Sequence, residues 1–94
     1  MIRSFKGKWA EQILQHREAP KGFPFEIAKV ARRKLIQLNN AVTLADLAAP
    51  PGNRLEALRG KLAGLHSIRI NRQWRIVFRW SVDGPEDVEI VDYH

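Results

Sequence analysis

Arg69, Arg75 and Arg79 share one parity in the stretch 66–80, so on pleated strands their side chains stand on one face. Arg54, Arg59 and Lys61 arrive just before them. A guanidinium is a planar fork that meets phosphate oxygens two at a time. A cluster of them on a rigid sheet can hold a phosphodiester backbone and stabilise charge developing on a phosphate. The other reading is an ordinary solvated outer sheet face, and the pattern alone leaves both open. The chain then reads Val88-Glu-Ile-Val-Asp92-Tyr93-His94, an apolar strand run followed by three side chains that can move or orient a proton. A free phenol titrates near ~10 and an imidazole near ~6.5, and cationic neighbours draw both downward. Terminal polar residues often fray, but here the strand run leads directly into them and is expected to hold them against the sheet.

The elements that must carry these groups follow from periodicity. Beyond Arg54 the period is two. His66, Ile68 and Ile70, then Trp74, Ile76, Phe78 and Trp80, alternate with Ser67, Arg69, Asn71, Arg75, Val77 and Arg79. Two strands joined at Asn71-Arg72-Gln73 form a hairpin, and Ser81 to Pro85, with Asp83-Gly84, turns the chain into a third strand over Val88 to Val91. Upstream, Phe25, Ala28, Ala31, Leu35 and Leu38 recur at steps of three and four, which predicts a helix over 25–38 with those side chains on its buried face. Lys29, Arg32, Arg33 and Lys34 fall largely off that face. They read first as a solvated basic surface, and second as a contact for RNA or a protein partner. Asn39-Asn40 is expected to stop the helix, and 43–49 to form a short helical turn before Pro50-Pro51-Gly52-Asn53. Lys8 to about His16 suggests an earlier helix, Ile2 to Phe5 a first strand, and Glu18 to Pro24 a loop whose last proline opens the long helix.

Ninety-four residues, 45% of them hydrophobic, make one domain with a single core, spanning 1–94. Sixteen Lys and Arg against ten Asp and Glu leave a formal charge of +6, which favours a polyanionic partner, nucleic acid first. Without cysteine there are no disulfides, thiolate metal sites or thiol nucleophiles. His16, His66 and His94 lack the spacing that would put two on one face, so no metal is expected. No apolar run approaches the ~18 residues of a membrane span and no secretory h-region opens the chain, so the expected compartment is the cytoplasm.

Three segments in order, Pro51-Gly-Asn-Arg-Leu-Glu-Ala-Leu-Arg-Gly60, Gly64-Leu-His-Ser-Ile-Arg-Ile-Asn-Arg-Gln-Trp-Arg-Ile76 and Val91-Asp-Tyr-His94, resemble the successive motifs of HigB-type toxins in the RelE/ParE superfamily. The opening Met1-Ile-Arg-Ser-Phe5 fits the same pattern. The resemblance implies an α+β, RelE-like fold, with two N-terminal helices on one face of a twisted antiparallel sheet in β-α-α-β-β-β order. It also implies a metal-independent, cofactor-free endoribonuclease that cuts messenger RNA on the 70S ribosome, restrained by a HigA-like helix-turn-helix antitoxin.

By the same resemblance Glu56, Arg59, Arg75, Asp92, Tyr93 and His94 surround the scissile phosphate, Glu56 standing where some members carry a histidine. Attack by a ribose 2′-hydroxyl needs a base, cationic phosphate donors and an acid for the departing 5′-oxygen. Glu56 or His94 is the candidate base and Tyr93 or protonated His94 the candidate acid. Arg75 with Arg59 would stabilise the phosphate, Asp92 would orient a neighbour, and Arg54, Lys61, Arg69 and Arg79 would bind backbone. Glu56 may equally be read as a charge partner of Arg54 or Arg59. A slow but toxic enzyme is expected if the ribosome positions the RNA. Rival readings are a ParE-like toxin that acts on DNA gyrase without hydrolysing RNA, a non-catalytic RNA-binding module, and a basic domain that serves only to dock an antitoxin.

Overall fold

A computed structural model describes residues 1–92. Helix α1 (Trp9–His16) and the longer α2 (Phe25–Asn40) are followed by a 3₁₀ turn at Leu44–Leu47. Four strands come next, β1 (Glu56–Ala57), β2 (Leu65–Arg69), β3 (Trp74–Ser81) and β4 (Gly84–Asp92), in one antiparallel sheet of order β1-β2-β3-β4. Both helices contact β4, and α1 packs on α2. The α+β arrangement is therefore the expected one, helices on one face of an antiparallel meander.

The even-numbered apolar residues of the meander do face the helices. Ile68, Ile76, Phe78 and Val88 are fully buried with Ile13, Ala31, Leu35, Leu38 and Leu47. Each such aliphatic or aromatic side chain contributes about 1.5–3 kcal/mol relative to exposure. Trp9, Phe23 and Trp74 close one end of this core as a three-ring cluster, with centroids 5.1–5.5 Å apart and tilted or edge-on.

Four local expectations need correction. Ile2 to Phe5 forms no strand of its own but a single parallel bridge, Phe5 to Val88. Pro85 has no N–H to donate, and Asp87 sits at φ 51° in a bulge where the β3–β4 register shifts between Val77 and Arg79, so the ladder cannot extend. The β3–β4 turn is tighter than expected, with β4 already paired at Gly84 opposite Ser81. Asn39 and Asn40 end α2 as its last two residues instead of lying just beyond it. The helix runs through both, and the Asn39 side chain accepts from the Ile2 N–H at 2.9 Å. Phe25, expected on the buried face of α2, is 82% exposed, because Phe23, two residues earlier, fills the core against Trp9 and Trp74.

Gly84 (φ 125°) is where the chain start passes closest to the sheet. A Cβ there would run into the Met1 carbonyl. Gly84→Ala is therefore expected to lower the unfolding free energy by about 1–3 kcal/mol, measured by urea denaturation against wild type.

Candidate active site

Arg69 and Arg75 lie directly opposite each other on β2 and β3, and Arg79 opposite Leu65, so the three arginines share the sheet face away from the helices. That face is not an open solvated plane, since Ser67, Arg75 and Val77 are buried within it. The Arg75 side chain is only 11% exposed and reaches diagonally from β3 across β2 to β1. Its Nε donates to Ser67 Oγ at 2.9 Å and its Nη2 to the Arg54 carbonyl at 2.8 Å, while Nη1 stands 3.6 Å from Glu56 Oε1. Glu56 thus faces Arg75, rather than Arg54 or Arg59, and remains half open to solvent. A guanidinium held by three groups on three chain segments has its plane and position set before any ligand arrives.

The other expected residues divide. Arg54, Arg59, Lys61 and Arg79 are exposed. Arg59 and Lys61 ride the β1–β2 connection, and the Arg79 guanidinium lies against Gly64 at that connection's end. Arg69 is half-buried and donates from Nε to the Asn71 carbonyl at 3.0 Å, which turns it along the hairpin tip. Asp92 pairs with Trp74, so strand alternation puts it on the helix side of the sheet, away from Arg75. Its Oδ2 accepts from Gln73 Nε2 at 3.1 Å. Tyr93 and His94 lie outside the described residues.

What holds β1 in place went unread in the sequence. Lys34 is buried, not part of a solvated basic surface, and its Nζ donates to Asn53 Oδ1. Asn53, fully buried, donates in turn from Nδ2 to the Leu47 carbonyl at 3.0 Å and to Gln37 Oε1 at 3.3 Å, and its own carbonyl accepts from the Arg69 N–H at 2.6 Å. This network ties α2 to β2 through the proline-rich loop. The next residue, Arg54, adopts φ 45°, and its carbonyl is the one Arg75 takes. The signal was present for Lys34, since Ala31, Lys34, Leu35 and Leu38 are spaced i, i+3, i+4, i+7. Asn53 sits in a Pro-Pro-Gly-Asn string and reads as a turn residue. His66 lies on the core side, stacked on Phe78 at 6.2 Å, and its Nδ1 is buried with no partner among the described residues. No cluster of three His, Asp or Glu side chains that could hold a metal ion occurs among the described residues. Among the described residues no helix is long and apolar enough to cross a membrane.

A helix pair on a four-stranded antiparallel meander, with a braced arginine and further arginines on the bare face, defines a RelE-like toxin domain. Residues 3–94 match the family model described as the RelE-like toxin of the type II toxin-antitoxin system HigB, and the chain belongs to that family. It is 44% identical over 94 residues to Toxin HigB-1 of Vibrio cholerae serotype O1, covering 100% of this chain and 98% of that one. An uncharacterized protein of Haemophilus influenzae is 30% identical over 76 residues, covering 81% of this chain and 75% of its own length. Membership makes the chain the toxin of a type II pair and implies an antitoxin partner.

Burial holds the Lys34 pKa below its usual 10.5, with the Arg33 charge adding to the effect. The unfolded chain therefore keeps a proton that the folded one releases, so burying this side chain costs less as pH rises through the lowered value toward 10.5. Two outcomes are expected in denaturant titrations. The stability of wild type relative to Lys34→Met should increase between pH 7.5 and about 10. Asn53→Ala, which strands the buried ammonium, should cost about 2–4 kcal/mol at neutral pH.

Proposed function

We propose that the chain is a ribosome-dependent messenger-RNA endoribonuclease working in the cytoplasm, which cleaves by attack of a ribose 2′-hydroxyl on the adjacent phosphate. The observation that carries this reading is the Arg75 guanidinium, fixed by Ser67, the Arg54 carbonyl and Glu56 on a face that also bears Arg69 and Arg79. A cation held in place without side-chain rearrangement is suited to the charge that grows on a phosphate as it becomes five-coordinate.

In this reading Arg75, with Arg59, stabilises the phosphate, and Arg54, Lys61, Arg69 and Arg79 hold the backbone on either side. Glu56, half open and 3.6 Å from Arg75, can take the 2′-hydroxyl proton, a role it shares as a candidate with His94. Tyr93 or protonated His94 supplies a proton to the 5′-oxygen. Asp92, hydrogen-bonded to Gln73, orients the strand end and does not face Arg75. Neither metal nor cofactor enters these steps. The partners are the 70S ribosome with its messenger RNA and a HigA-like helix-turn-helix antitoxin. The family membership and the 44% identity to a protein named Toxin HigB-1 support the toxin assignment on which this chemistry rests.

Arg75 also ties β3 to β1, so its removal leaves Ser67 and the Arg54 carbonyl without this donor. Arg75→Ala is therefore expected to cost about 1–3 kcal/mol as well as activity. The decisive test induces wild type, His94→Ala and Glu56→Gln without antitoxin, with growth and messenger-RNA 5′ ends followed together. In-frame cuts should appear with wild type and fall by about 10²-fold or more in at least one variant. Growth arrest without new RNA ends would overturn the nuclease reading.

A further inference from the structure

The outer side of α2 carries a surface that the nuclease chemistry does not use. A groove of about 1080 Å³ runs beside the helix, lined by Phe25, Lys29, Val30, Arg32, Arg33 and Ile36 together with residues of the α1–α2 loop. Phe25 is 82% exposed, and Val30 and Ile36 are half-buried on the core's margin. Four basic side chains in the lining, Arg17, Lys29, Arg32 and Arg33, stand against two acidic ones, Glu18 and Glu26. Arg32 supplies an independent observation. Its Nε is buried yet has no acceptor among the described residues. A buried guanidinium N–H without an acceptor costs free energy comparable to a lost charged hydrogen bond, so a partner that draws the Arg32 head outward relieves that cost.

We propose that this groove is the docking surface for the antitoxin, filled by an acidic amphipathic segment whose apolar side chains cover Phe25, Val30 and Ile36. A carboxylate of that segment accepts from Arg32, and others face Arg33 and Lys29. The proposal rests on the toxin-antitoxin reading of the chain and not on its nuclease chemistry. The apolar floor decides between polyanions. Single-stranded RNA follows successive aromatic platforms, of which this lining holds one, Phe25, whereas an apolar ridge flanked by carboxylates also covers the aliphatic Val30 and Ile36 within the basic rim. The surface also lies across the core from Arg75, so a partner seated here leaves the sheet face uncovered.

The test uses the full chain and its cognate antitoxin, with titration calorimetry on wild type, Phe25→Ser, Arg33→Glu and the double variant. Arg79→Glu on the sheet face serves as the control. Phe25 and Arg33 are exposed, so unchanged melting temperatures are expected for their variants. Affinity for the antitoxin should fall about 100-fold or more in the double variant and stay within a few-fold in the control. Growth arrest in the absence of antitoxin should persist in the groove variants. Unchanged affinity in the double variant overturns the proposal. So does a loss of single-stranded RNA oligonucleotide binding by the groove variants with antitoxin affinity intact, which would make the groove part of an RNA path. If wild type cuts no RNA while the groove variants still lose the antitoxin, the nuclease reading fails and the docking surface stands.

Discussion

A buried ammonium bonded to a buried amide sets the geometry of this domain. Lys34 projects from the inner side of α2, where an alkyl side chain would be expected, and its proton donors need an acceptor that only Asn53 provides at that point. Satisfying Asn53 then recruits the Leu47 carbonyl and Gln37, and the Asn53 backbone carbonyl takes the Arg69 N–H. One polar cluster thus joins the long helix, the 3₁₀ turn and β2. Without it, the loop 50–55 would be a Pro- and Gly-rich surface excursion, and a two-residue edge strand is too short to place itself. The position of the Arg54 carbonyl, and of Glu56 two residues on, follows from that anchor.

The arginine at the centre of the sheet face inherits both a structural and a chemical duty from the same placement. Its hydrogen bonds to the Ser67 hydroxyl and the Arg54 carbonyl leave the side chain little rotamer freedom. An exposed arginine gives up most of that freedom when it grips an anion, whereas Arg75 has given it up on folding. The Glu56 carboxylate opposite is half exposed, so their attraction is screened and contributes modestly to stability. The ion pair matters more for keeping a basic oxygen beside a cation than for holding β1 down.

The parts of this architecture that were legible in the sequence are those governed by periodicity. The alternation across 66–80 placed the arginines and the apolar residues on opposite faces, and the spacing of Ala28, Ala31, Leu35 and Leu38 placed the long helix on the core. What escaped was decided by competition between neighbours. Phe23 and Phe25 both suit the core, and the position nearer Trp9 and Trp74 won. Lys34 occupies an apolar position in the helical repeat, yet its charge argued for solvent. Only a partner 19 residues away in the sequence, held in a loop, makes its burial tolerable. Ser67 reads as a neutral strand residue until Arg75 is seen to need an acceptor there. Asp92 was expected around the phosphate with the arginines, whereas the strand register turns it toward Gln73.

Layering explains why one small domain can present two basic surfaces without confusing their ligands. The core between helices and sheet separates the outer side of α2 from the arginine face, so the two sets of charges meet solvent and ligands on opposite sides of the domain. The exception is Lys34. It shares the helix with Arg33, whose charge helps hold its pKa down, and it grips the loop that positions Arg54 and Glu56. Neutralising Arg33 from outside removes one of the two influences that disfavour the Lys34 ammonium, which moves its pKa back toward the usual value. An acidic ligand on the helix side and a phosphate on the sheet are compatible by geometry, because the core lies between the two faces.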